Sequence, residues 1–112
     1  MKSVKYTIND DVWTFSLLSK KDYQKKHGKD SYGLMDSEAF TIDFIKKKFS
    51  MKLLAHELWH LHMYYTFYER SYLKVGQLEE TSAELFAYRG ALIVKQAKEI
   101  YRKLKPKNDS SN

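Results

Sequence analysis

The sequence predicts an α+β fold in which a small antiparallel or mixed sheet of three strands packs on two helices, the second long and C-terminal. Three observations carry that expectation. Segments in the first half alternate apolar and polar residues with the period of two proper to strands. The stretches from residue 51 onward repeat at helical spacing instead, and a length of 112 residues suits one core only. Residues 1–105 are therefore expected to form a single domain. Pro106 and the polar residues after it, 106–112, are expected to be a disordered tail.

Residues 4–8 alternate and are rich in β-branched side chains, Asn9-Asp10-Asp11 is a turn signal, and residues 12–18 resume the alternation. Together they read as a hairpin with Trp13, Phe15 and Leu17 on its core face. Residues 19–28 read as a short polar helix ending at Gly28, with His27 expected to face solvent. Residues 30–37 read as a loop in which Gly33 and Asp36 turn the chain. Residues 38–44 read as a third strand, with Phe40, Ile42 and Phe44 on one side and Thr41 and Asp43 on the other. Ser50 suits a helix N-cap, with Phe49 and Leu54 placed as a hydrophobic staple, and that helix should run to about Tyr64. Residues 77–104 form the last helix. Its predicted apolar stripe comprises Leu78, Leu85, Leu92 and Ile100, joined by Ala83, Phe86, Ala87 and Ile93.

Composition narrows the function. There is no cysteine, which excludes disulfides and thiolate zinc sites, so any metal must be held by histidine and carboxylate. The formal charge of +6 comes mostly from scattered lysines with little arginine, which reads as a solvated surface rather than a nucleic-acid footprint. Acidic substrates or partners fit that balance equally. No segment resembles a signal peptide and no apolar run approaches the ~18 residues of a membrane span, so a soluble, cytoplasmic protein without membrane contact is expected.

Chemistry concentrates in Leu53-Leu54-Ala55-His56-Glu57-Leu58-Trp59-His60. On a helix, His56 and His60 project from one face a turn apart, where two neutral imidazoles suit a tetrahedral metal ion. Glu57 then lies beside the metal, able to take a proton from water. The Leu and Ala around the motif suggest a buried or nearly buried face, on which unpaired polar groups are costly. Catalytic zinc sites usually have three protein ligands. The last helix opens with Glu79, Glu80 and Glu84, which also suit the positive end of its dipole, and spacing does not choose among them.

His56-Glu57-x-x-His60 followed by Glu80-x-x-Ala83-Glu84-x-Phe86-Ala87 resembles the gluzincin class of zinc peptidases, whose downstream pattern is Glu-x-x-Ala-(Asp/Asn)-x-Phe-Ala. The resemblance implies that Glu80 is the third zinc ligand and that Glu84, in the Asp/Asn position, supports the ligands from behind. Gly33-x-x-Asp36 and the Ile42-containing strand resemble, more narrowly, small phage and mobile-element metallopeptidases of the ImmA/IrrE type and SprT-like relatives. Trp59 departs from the glycine often found there. A minimal zincin-like fold is implied, with one zinc ion per chain, cleavage of a protein or peptide substrate, and Glu57 as the general base. In such relatives the strand before the zinc helix is an edge that pairs with extended substrate, which points to residues 38–44. Tyr64, Tyr65, Tyr68 and Tyr88 are candidates to stabilise the oxyanion, each with packing as the plainer role. His62 points away from the motif face. Two other readings are a catalytically silent zinc-stabilised protein-binding module and, more weakly, a small basic nucleic-acid-binding protein.

Overall fold

The computed structural model describes residues 1–28, 31–67 and 75–105, with only the helical backbone described at 66, 67, 75–85 and 88. The class is α+β: four strands form one mixed sheet with helices on both faces. Strands β1 (Lys2–Ile8) and β2 (Asp11–Leu18) form the expected antiparallel hairpin. Its turn residues Asn9 and Asp10 both have positive φ, 55° and 69°, a twist that suits tight hairpins and that Asn and Asp tolerate. Helix α1 (Lys20–His27) follows. Ser19 Oγ accepts from the Asp22 amide at its start, and Gly28 closes it in the left-handed conformation at φ 63°.

The next strands correct the sequence reading. Gly33–Asp36 is not a loop but strand β3, and it pairs antiparallel with β4 (Thr41–Ile45). The sheet therefore has four strands, not three, in the order β1-β2-β4-β3 with β2 and β4 parallel. Strand β4 starts at Thr41 because residues 37–40 form a turn. Asp36 Oδ1 accepts from the amides of Glu38 and Ala39 at 3.0 and 3.2 Å, and Phe40 takes a φ of 56°. The expected substrate edge at residues 38–44 is thus no edge, since β4 is covered by β2 on one side and β3 on the other. Among the described residues, strand β3 is the edge there.

Alternation along β2 and β4 sends Trp13, Phe15, Leu17, Ile42 and Phe44 to one face, where helices α2 (Met51–Phe67) and α3 (Val75–Leu104) contribute Leu54, Leu58, Leu61, Ile93, Ala97, Ile100 and Leu104. Each large side chain buried there contributes on the order of 1.5–3 kcal/mol. Leu18 and Ile45 face the other way and pack on Tyr23 of α1. Also on that face, buried Asp43 accepts from Lys26 Nζ at 2.7 Å and pairs with His27 Nε2 at 2.8 Å. His27 is therefore not a solvent-facing residue: its ring lies 4.8 Å from that of Tyr23 and helps tie α1 to β4. The stripe predicted on α3 is partly displaced. Phe86, Ala87 and Leu92 are exposed, and the buried line runs Ile93, Gln96, Ala97, Ile100, Leu104. Leu78, Ala83 and Leu85 belong to the side chains outside the described set, as do residues 106–112. Among the described residues no helix is long and apolar enough to cross a membrane.

Candidate metal centre

Helix α2 carries the motif. Ser50 caps it, with Oγ accepting from the Leu53 amide at 3.1 Å, and Phe49 packs between Phe44 and Tyr101 with ring centroids 5.0 and 5.3 Å away. Leu54, Leu58 and Leu61 anchor one face in the core. His56 and His60 leave from the opposite face, where the His56 side chain is 63 % exposed. The expectation of a buried or nearly buried face therefore fails for His56 and His60, which are exposed, and holds for Glu57, which is buried.

Geometry carries more. The Nε2 atoms of His56 and His60 lie 3.1 Å apart and the ring centroids 4.7 Å apart. Two nitrogens bound about 2.0–2.1 Å from a tetrahedral ion stand roughly 3.3 Å from each other. The pair therefore suits a shared ion with little adjustment. The same separation lets one neutral ring donate a hydrogen bond to the other.

Glu57 lies between the exposed histidine face and the core face, and only 7 % of it is accessible. Its Oε2 is 3.8 Å from His56 Nε2. Burial pushes the carboxyl above the usual glutamate range, against the opposing pull of His60 and then His56. What seats it is Gly33 on β3. A Cβ at that position would stand 3.1 Å from the Phe44 ring and 3.3 Å from Glu57 Cγ, so any other residue would press the ring and the carboxylate arm back by a few tenths of an ångström. Gly33 is thus a strand residue rather than the turn residue its sequence context predicts. The Gly-x-x-Asp spacing was the one signal pointing to it.

Compared with known protein families, curated proteins and solved structures, the chain matches none.

The remaining candidates divide. The side chains of Glu79, Glu80 and Glu84, like those of Tyr68 and Tyr88, lie outside the described residues. Among the described residues, no three His, Cys, Asp or Glu side chains cluster to hold a metal ion. Tyr65 is tied into packing: its hydroxyl donates to Asp11 Oδ2 at 2.6 Å and accepts from Trp13 Nε1 at 2.8 Å. Tyr64 stacks edge-on with Trp13 and Tyr65, at 6.4 and 5.2 Å. Both are partly buried and pack against the core. His62 is buried on the α3 side, with Nε2 2.7 Å from Gln96 Oε1 and Nδ1 3.3 Å from Arg89 Nη1. Burial holds its pKa below the usual imidazole value. Trp59 packs its ring 6.2 Å from that of Phe86 of α3.

Proposed function

We propose that the chain is a gluzincin-type zinc metallopeptidase in which His56, His60 and Glu80 hold the metal and Glu57 is the general base. The observation that carries this reading is the convergence of the His56 and His60 Nε2 atoms to 3.1 Å, with the Glu57 carboxylate 3.8 Å from one of them. Bound zinc supplies a Lewis acid that acidifies water and polarises a carbonyl. Glu57 takes the proton from the water that adds to the scissile carbonyl and passes it to the departing amine. The fixed seat of its side chain under β3 supports this role, because a base must hold its position through both transfers. Strand β3 (Gly33–Asp36), the sheet edge among the described residues, runs beside Glu57 and offers its outer side to an extended peptide, which would add to the sheet as a further strand. Glu84 is assigned to support the ligands. A silent binding module has no use for a carboxylate held in this way.

The test is incubation of wild-type protein and Glu57→Gln with a cell extract. Fragments that appear with wild type alone are expected. Identical fragment patterns from both would remove Glu57 as the base.

A further inference from the structure

We propose that the groove beside His56 receives an acidic side chain of the substrate, so that cleavage falls next to glutamate or aspartate. The inference deepens the peptidase reading above and rests on it. The groove is open to solvent, has a volume of about 280 Å³ and is lined by Tyr32, Lys48, Ser50, Lys52, Leu53 and His56. That size holds one or two residues of a peptide. Because His56 forms one wall, an occupant lies directly against the candidate metal centre. Tyr32 immediately precedes β3, and its carbonyl accepts from the Ile45 amide at 3.0 Å, continuing the ladder. A peptide laid along the edge of β3 therefore passes the groove.

The walls define what fits. The Tyr32 ring and Leu53 suit methylene groups, Lys48 and Lys52 are exposed cations, and among the described lining residues there is no carboxylate. Lys48 Nζ lies 5.3 Å from the centre of the Tyr32 ring, which steadies the ammonium at the groove. Ser50 Oγ accepts from the Leu53 amide and keeps its own hydrogen to donate. Such walls favour a carboxylate and disfavour a lysine. Exposed ion pairs are individually weak, so two lysines should give a preference of about 3- to 10-fold, shrinking as salt rises.

The experiment uses zinc-loaded protein and capped heptapeptides of Ala and Phe carrying a single Glu, Gln or Lys moved through each position. It reads kcat/KM, and also binding to Glu57→Gln protein by fluorescence anisotropy. In one register the Glu peptide is expected to be cleaved about 3- to 10-fold faster than the Gln peptide. The double variant Lys48→Glu/Lys52→Glu should turn the preference toward Lys, and circular dichroism checks its fold. Cleavage indifferent to charge and to the double variant overturns the groove and leaves the peptidase standing. Glu-selective binding that the double variant abolishes, with no cleavage, supports the groove and overturns the peptidase. Neither binding nor cleavage overturns both.

Discussion

Gly33 and Glu57 are packed so closely that a single methyl on the glycine would stand 3.3 Å from the glutamate Cγ. The contact joins the edge strand to the helix that carries the histidines and leaves little space beside the glutamate arm. The ring of Phe44 closes the other side at 3.1 Å, so an added side chain has little room to turn away.

Gly33→Ala should therefore push Glu57 off its seat while leaving both histidines in place. We expect peptide cleavage to fall by about 10-fold or more, since small misplacements of a catalytic group are costly. Zinc content should stay as in wild type. Steady-state kinetics with metal analysis checks this, and unchanged kcat/KM would show that the contact does not govern the base.

Purified protein should carry about one zinc ion per chain. His56→Ala and Glu80→Ala should each lose it, and chelation should lower the thermal midpoint, because metal bound by the folded state alone stabilises that state. Elemental analysis reads the first and thermal unfolding the second. Full metal content in both variants would dismiss the proposed ligand set.

Tyr65 gives a prediction about stability alone. Its hydroxyl is the acceptor for the fully buried Trp13 indole N–H and a donor to Asp11. Tyr65→Phe strands that N–H and should cost about 1–3 kcal/mol, lowering the midpoint by several degrees. A shift under one degree would mean that the indole finds another partner.

The same residue has an alkaline signature. Burial and the bond to Asp11 push the Tyr65 phenol up to about 12, and burial with the bond to Glu99 does the same for Tyr6. A phenol whose folded pKa exceeds its unfolded value near 10 stabilises fully below pH 10, and that contribution is lost as pH rises toward 12. Burial raises the Tyr23 phenol as well, so absorbance titration at 295 nm should show at least three of the nine tyrosines ionising late, and one fewer late ionisation in each of Tyr65→Phe and Tyr6→Phe. Nine tyrosines titrating together near pH 10 would contradict it.

Local pattern was enough for the hairpin, for α1 with Ser19 and Gly28 at its ends, for the Ser50 cap and for the helical turn that brings His56 and His60 together. Each depends on neighbours within a few residues, where period, caps and turn chemistry act directly. The alternation in residues 12–18 likewise marked Trp13, Phe15 and Leu17 as core, and all three are buried.

Tertiary structure alone decided the rest. Gly33–Asp36 is a strand because β4 pairs with it, and its four residues lack the alternation that would announce one. That pairing turned residues 41–45 into an interior strand and made β3 the sheet edge among the described residues. Ala87 and Leu92 lie off the buried line of α3, because the sheet and α2 meet the helix along Ile93, Ala97 and Ile100. His27 is held by Asp43, sixteen positions away in sequence, through a sheet face that no local rule reveals. Spacing along the chain specifies which side chains share one helix face. Which of them meets a glycine on a distant strand, as Glu57 meets Gly33, depends on how the elements pack.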